Sequence, residues 1–132
     1  TAESLSLLTH TLESLDLSWC NLSDVNLSRL TSLKTLDLYS NKQLTDESLS
    51  LLPHTLEFLY LRYCNMSDAS LISLSRLTSL KTLNLRGNEE LTAESLSLLP
   101  HTLETLDLSW CNLSDASLLS LSRLKSLKNL IK

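Results

Sequence analysis

One six-residue frame, Leu-x-x-Leu-x-Leu, recurs along the whole chain of 132 residues. The five complete copies and one incomplete copy start at Leu12, Leu33, Leu56, Leu80, Leu103 and Leu127. Odd and even copies differ, so the repeating unit is a pair of repeats, 47 residues long in the later pairs. A fixed period of this size is typical of stacked repeat architectures. We therefore predict one domain, 1–132, of about five and a half repeats.

Each repeat is predicted to form a strand, a turn and a short helix. In "LESLDL", Leu15 and Leu17 alternate with polar residues, which is the pattern of a half-buried strand. In "DASLISLSRL", leucines three residues apart lie on one face of a helix, and Pro53 and Pro100 end the helices of the other repeats. Residues with N-cap chemistry precede the helices: Ser23, Asp24, Thr45, Asp46, Ser67 and Asp68.

Stacking is required because no single unit can bury its own leucines. Parallel strands lie about 4.8 Å apart, whereas packed helices need about 10 Å. The stack must therefore curve, with the sheet on the inside. We predict an α/β solenoid with a curved parallel sheet on the concave face and short helices on the convex face.

The frame "LESLDLSWC" and its even-numbered form "LKTLDLYSN" resemble the leucine-rich repeat family. The turns "CNLSD" and "NKQLTD" are similar to its cysteine-containing subclass, found in intracellular adaptor proteins. The resemblance covers the whole chain. It implies a non-enzymatic scaffold that binds proteins or peptides, without naming a partner.

Composition and motifs argue against other functions. The net charge of −4 argues against a nucleic-acid-binding protein, which normally carries a basic stripe. No apolar run approaches the roughly 18 residues of a membrane span. Gly87 is the single glycine, so neither a Gly-rich phosphate loop nor a nucleophile elbow can be built. We predict no enzymatic activity, no cofactor, no nucleic-acid partner and no membrane partner.

The cysteines Cys20, Cys64 and Cys111 occupy the ninth position of odd repeats, where even repeats have Asn41 and Asn88. Successive cysteines are two strands apart, about 10 Å, which is too far for a disulfide or a shared metal ion. We expect three buried, slowly reacting thiols beside asparagine amides that bond the turn backbone. Unpaired thiols suit a reducing compartment, which predicts a cytoplasmic location.

Most residues that vary among the copies are at outward-facing strand positions, whereas the constant leucines face inward. Position two alternates in charge along the copies, which favours lateral ion pairs and a fixed register: Glu13, Lys34, Glu57, Lys81, Glu104 and Lys128. The outer strands carry small or acidic groups at positions five and seven, whereas the central strands carry rings and guanidinium groups. The predicted binding residues of the concave face are Tyr39, Phe58, Tyr60, Arg62, Asn84 and Arg86.

The aromatic residues at position eight of the odd repeats, Trp19, Tyr63 and Trp110, are expected to pack over the turns. The histidines before each odd frame, including His10, recur with the same period and are interpreted as scaffold residues.

Two further expectations remain open at this stage. Residues 53–83 and 100–130 are nearly identical, so the alternative to a binding protein is a designed or consensus array without a natural ligand. Neither end of the chain carries a polar capping segment. The leucines of the first repeat and the edge of the last strand are therefore expected to be uncovered: Leu5, Leu7, Leu8 and Leu12 at the start, and Leu127, Leu130 and Ile131 at the end. This predicts self-association through the ends, with head-to-tail contacts favoured.

Overall fold

A computed structural model describes residues 11–23 and 26–132, and its main feature is a sheet of parallel strands. Six three-residue strands follow one another in chain order. They are β1 Ser14–Asp16, β2 Thr35–Asp37, β3 Phe58–Tyr60, β4 Thr82–Asn84, β5 Thr105–Asp107 and β6 Asn129–Ile131. Equivalent repeat positions lie side by side, as in the pairing of Leu15 with Leu36 and of Leu36 with Leu59. The predicted α/β solenoid is confirmed.

Short helices connect the strands on the convex side. They are α1 Asp46–Ser50, α2 Asp68–Leu74, α3 Ala93–Leu96 and a 3₁₀ helix, Ser117–Arg123. The predicted N-cap at Thr45 is confirmed, because its Oγ1 accepts a hydrogen bond from the Ser48 amide at 3.2 Å. The N-cap at Ser67 is also confirmed, and its amide donates to Ser70 Oγ at 3.2 Å.

Asp68 joins two successive helices rather than capping its own. Its carboxylate accepts hydrogen bonds from the Thr92 amide at 2.9 Å, from the Thr92 hydroxyl and from Ser95 Oγ at 2.6 Å. Burial alone would raise the pKa of Asp68, but the hydrogen bonds from Ser95 and Thr92 hold that pKa below its ordinary value of 3.8. The carboxylate at the start of α2 therefore holds the start of α3.

Two segments differ from the predicted pattern. After Ser23, residues 26–30 form a turn and not a helix, since this segment is three residues shorter than its later equivalents. Residues 115–124 repeat the sequence of 68–77 with one change, Leu119 for Ile72, yet Ser117–Arg123 is a 3₁₀ helix. Their surroundings differ, because α2 packs between α1 and α3 whereas the 3₁₀ helix packs against α3.

The core is almost entirely leucine. The frame leucines of the central repeats are fully buried: Leu33, Leu36, Leu56, Leu59, Leu80, Leu83, Leu103 and Leu106. Leucines on the helical side belong to the same hydrophobic cluster, among them Leu49, Leu71, Leu74 and Leu96. Burial of a leucine side chain stabilises the fold by about 1.5–3 kcal/mol. Stacked leucines thus replace the aromatic residues that a chain with 5% aromatic content lacks.

Buried asparagines satisfy the turn backbone, as predicted. Asn88 is fully buried, and its Oδ1 accepts from the amides of Cys64 at 3.2 Å and Met66 at 2.8 Å. Its Nδ2 donates to the carbonyl of Leu61 at 2.9 Å. Asn41 has the same burial and similar bonds one double repeat earlier. Each amide therefore ties its own turn to the turn of the preceding repeat.

The charges at position two form separate pairs within each double repeat. The ion pairs are Lys34–Glu13 at 3.8 Å, Lys81–Glu57 at 3.5 Å and Lys128–Glu104 at 3.8 Å. The described residues include no ion pair from one double repeat to the next at this position. Most of these side chains are well exposed, so each pair contributes at most about 1 kcal/mol.

Several sequence features lie outside the described residues: Leu5, Leu7, Leu8, His10 and Asp24. Over the described ranges, the helices are all too short or too polar to span a lipid bilayer. The same part of the chain has no cluster of three His, Cys, Asp or Glu side chains suited to bind a metal ion.

Candidate binding face

The six predicted binding residues lie on or directly after three adjacent strands. Phe58 and Tyr60 are the outward residues of β3, half-buried on either side of the fully buried Leu59. Tyr60 pairs in register with Asn84 of β4 and with Asp37 of β2. The structure therefore brings the ring of Tyr60 next to the polar side chains of both neighbouring strands.

Tyr39, Arg62 and Arg86 occupy position seven, where backbone pairing continues beyond the strands. The Ser40 amide, for example, donates to the Arg62 carbonyl at 2.9 Å. The Arg62 guanidinium lies 4.6 Å from the centre of the Tyr39 ring, and its Nη2 is 3.5 Å from Asp37 Oδ2. A cation over an aromatic face is stabilised by about 0.5–2 kcal/mol. The Arg62 Nε is buried and has no hydrogen-bond partner among the residues that the structure describes.

Arg86 is the more accessible of the two cations. It is exposed and, among the described residues, forms no ion pair with a carboxylate. Interaction with the Tyr63 hydroxyl raises the pKa of Arg86. Asp107 contributes in the same direction. A fixed positive charge beside an aromatic ring is therefore available to a ligand.

Asn84 has a structural role in its own turn that was not predicted from the sequence. Its Oδ1 accepts from the Arg86 amide at 3.0 Å, and Asp37 and Asp107 accept in the same way from the amides two residues later. Asp16 does so as well, and its hydrogen bonds from Ser18 lower the pKa of Asp16. Position five of the complete repeats thus favours Asp or Asn for the turn, and Tyr60 is the exception among them.

A row of rings beside the concave face was assigned wrongly from the sequence. Trp19 and Trp110 do not pack over the turns, since 73% and 69% of their surfaces are exposed. The Trp19 and Tyr39 ring centres are 5.2 Å apart, and those of Tyr39 and Tyr63 are 5.9 Å apart. Only Tyr63 packs as expected, with its ring over Gly87.

Position eight has a left-handed backbone in every complete repeat, which turns these side chains away from the core. The φ angles are 59° at Trp19, 61° at Ser40, 53° at Tyr63, 78° at Gly87 and 59° at Trp110. The single glycine of the chain, Gly87, occupies this position. It was a sequence feature from which the left-handed backbone could have been predicted. A left-handed residue with a Cβ costs about 1–2 kcal/mol.

The cysteines are buried in two cases and exposed in one. Cys64 Sγ donates to the Leu38 carbonyl at 2.9 Å, and burial raises the pKa of Cys64 to about 11. Burial also raises the pKa of Cys111, whose Sγ donates to the Leu85 carbonyl at 3.0 Å. The prediction was wrong for Cys20, which is exposed. In the other two repeats a preceding strand covers the thiol, and the described residues have no strand before β1.

A cavity of about 270 Å³ lies on the opposite edge, next to Leu52, Pro53 and His54. Arg76 lines it, but the Arg76 guanidinium donates to the carbonyls of Leu49 and Leu52, both at 3.0 Å. This guanidinium therefore satisfies the backbone carbonyls at the end of α1.

These features define a repeat scaffold with an open, parallel sheet face. Leucine-rich repeat profiles match residues 54–101, with two copies, and residues 10–28, 29–52 and 100–122. The chain belongs to the leucine-rich repeat family.

A solved structure with the same fold is the leucine-rich repeat-containing protein LegL7 from Legionella pneumophila. It is 21% identical with a TM-score of 0.55, over 98% of this chain and 59% of the LegL7 chain. The chain thus spans little more than half the length of that protein. No curated protein matches the sequence.

Proposed function

We propose that this chain is a non-enzymatic scaffold that binds a protein or peptide on its concave face. The proposal depends mainly on one observation, the concentration of rings and guanidinium groups on β2, β3 and β4. The strands on either side of these three, β1 and β5, carry Asp16, Ser18, Asp107 and Ser109 at the equivalent positions. Tyr and Arg are enriched among the residues that dominate binding energy, and such residues cluster near the centre of an interface.

The chemistry of the face suits a mixed apolar and polar partner. Phe58 and Tyr60 offer half-exposed rings, and Arg86 offers a cation without a carboxylate partner among the described residues. Arg62 is already oriented by Asp37 and the Tyr39 ring. A side chain held in place before binding loses less conformational entropy when the ligand arrives.

The test is a random peptide display library panned against the chain, followed by affinity measurement on the selected peptides. The Tyr60→Ala, Arg62→Ala double variant should weaken binding at least tenfold. The matched control is Ile72→Ser, an exposed apolar residue on the helical side. An equal loss in the control, or unchanged binding in the double variant, would place the site elsewhere.

The near identity of 53–83 and 100–130 supports the second candidate, a designed or consensus array without a ligand. That candidate predicts that panning enriches no peptide dependent on the concave face. A reducing compartment is proposed from the three free thiols. Self-association through the ends stays a prediction.

A further inference from the structure

The rings at position eight of the odd repeats form a row with a fixed direction and period. We define the aromatic row as Trp19, Tyr63 and Trp110, with Tyr39 between the first two. The three odd-repeat residues have nearly equal φ angles, between 53° and 59°, so their side chains leave the backbone in the same direction. Even repeats place small residues, Ser40 and Gly87, at the same position. The ring period is therefore two repeats.

Backbone hydrogen bonds set the spacing of the row. At each step, the amide at position eight donates to the carbonyl at position seven of the next repeat. These bonds are Trp19 to Tyr39 at 2.9 Å, Ser40 to Arg62 at 2.9 Å, Tyr63 to Arg86 at 2.8 Å and Gly87 to Ser109 at 2.9 Å. Paired strands lie about 4.8 Å apart, so successive odd-repeat residues are about 9.6 Å apart along the sheet.

That spacing selects one peptide conformation. A polyproline II helix repeats every three residues with a rise of about 3.1 Å each, or about 9.3 Å per turn. Two turns of an α-helix advance about 10.8 Å. An extended strand presents the same face every two residues, about 6.8 Å. Only polyproline II stays in phase with the backbone spacing of all three odd-repeat positions, with an offset of about 0.6 Å over two turns.

The chemistry of the row agrees with its period. Aromatic-lined surfaces bind polyproline II segments because the ligand is pre-ordered and its rings stack on flat side chains. A polyproline II backbone has no internal hydrogen bonds, so its carbonyls are free to accept from Trp and Tyr donors. Trp19 and Trp110 are exposed enough to present both ring face and indole N–H.

The charges add a second requirement on the ligand. Arg86 lies one strand beyond Tyr63 and one before Trp110, beside the row. It is exposed and has no ion-pair partner among the described residues. A carboxylate on the ligand, between the second and third stacking residues, would complement this cation.

We propose that the aromatic row binds an acidic, proline-rich segment of a partner protein in the polyproline II conformation. Prolines three residues apart stack at Trp19, Tyr63 and Trp110, and a Glu or Asp between the last two pairs with Arg86. This inference rests on the proposed function, because it names the ligand class for the edge of the same face.

The probe is a fluorescently labelled peptide, Pro-Ala-Ala-Pro-Glu-Ala-Pro, together with its reversed sequence, because the row is compatible with either direction. Fluorescence anisotropy gives the affinity. Tryptophan emission gives a second readout, since both tryptophans of the chain lie in the row. Replacing the prolines by alanine should weaken binding at least tenfold, and replacing Glu by Gln should weaken it about threefold to tenfold.

Trp110→Ser should weaken binding at least tenfold, and Leu119→Ser, the 75% exposed control on the convex side, should leave it unchanged. Arg86→Gln should weaken the Glu peptide but not the Gln peptide. Equal affinity for the alanine peptide, or no effect of Trp110→Ser, would overturn the inference.

The proposed function is tested separately. If library peptides bind through Tyr60 and Arg62 while no proline-rich peptide binds, only the ligand assignment fails. If no peptide of either kind binds, both proposals fail.

Discussion

The ring of Tyr63 lies directly over Gly87 of the next repeat. A Cβ built on residue 87 would come within 2.8 Å of Tyr63 Cζ and closer still to Cδ1 and Cε1. Gly87 also has a φ of +78°, a conformation that residues with a Cβ adopt at a cost. Two independent constraints, ring contact and backbone conformation, therefore favour the single glycine of the chain at this position.

Gly87→Ala should lower the free energy of unfolding by about 1–3 kcal/mol, because the new methyl group displaces the ring and is strained by the backbone. Chemical denaturation measures this. The double variant Tyr63→Ser, Gly87→Ala separates the causes, since only backbone strain remains in it. Ser40→Ala, at the same position with a φ of 61°, is the control and should change stability by less than about 0.5 kcal/mol. Equal effects of Gly87→Ala and Ser40→Ala would contradict this account.

Asp68→Asn should destabilise the fold by about 1 kcal/mol at pH 7, after allowance for solvent screening of the charged hydrogen bonds to Thr92 and Ser95. The folded-state pKa is lowered, so this stabilisation is present above the ordinary pKa of 3.8 and is lost as the pH falls through the folded value. Unfolding at pH 7 and pH 3 should show the difference between the wild type and the variant shrinking in acid.

Asp115→Asn is the matched control for Asp68. Asp115 occupies the same repeat position, but its side chain is 97% exposed and contacts only Lys132, at 3.7 Å, among the described ionic groups. Its replacement should change stability by less than about 0.5 kcal/mol. If both variants lost stability equally, the bonds from Asp68 to α3 would not be the cause.

Asn88→Ala should cost about 2–4 kcal/mol, because the amides of Cys64 and Met66 would remain buried without an acceptor. Asn88→Cys is the sharper test, since odd repeats carry cysteine at this position and a thiol is a weak acceptor. It should be nearly as destabilising. Thermal or urea unfolding gives the values, with exposed Asn129→Ala as the control. A stable Asn88→Cys variant would show that the asparagine and cysteine positions are interchangeable.

Cys20 should react with a thiol reagent in native buffer much faster than Cys64 and Cys111. Cys20 is exposed, whereas burial covers the other two thiols and raises the pKa of Cys64 to about 11. At pH 8 only about one Cys64 thiol in a thousand would be ionised, and the thiolate is the reactive form. Timed labelling followed by peptide mass spectrometry measures each site. Similar rates at all three sites would be inconsistent with the observed burial.

The sequence predicted the features that follow from the leucine period. Strand positions, the parallel order and the buried role of Asn41 and Asn88 all depend on inward residues that recur in each copy. The pairing of Glu13 with Lys34 also follows, because strand register places position two side by side. Local patterns were sufficient wherever each repeat meets the same neighbours.

Features that depend on unlike neighbours could not be predicted in this way. Nearly identical sequences form an α-helix at Asp68–Leu74 and a 3₁₀ helix at Ser117–Arg123, because the elements that pack on either side differ. Cys20 lies in the same sequence motif as Cys64, but Cys20 is exposed whereas Cys64 is buried. The exposure of Trp19 and Trp110 follows from a left-handed backbone, for which tryptophan gives no sequence signal.

The left-handed position eight has a consequence for how such a chain can change over time. Trp19, Ser40, Tyr63, Gly87 and Trp110 all adopt it, so the backbone there does not depend on the size or polarity of the side chain. A mutation at Trp19, Ser40 or Trp110, which take no part in the contact of the Tyr63 ring with Gly87, alters what the edge of the sheet presents while the leucine core stays the same. Under the proposed function, recognition and folding are thereby assigned to different residues of one repeat, and a new binding specificity can be selected one repeat at a time.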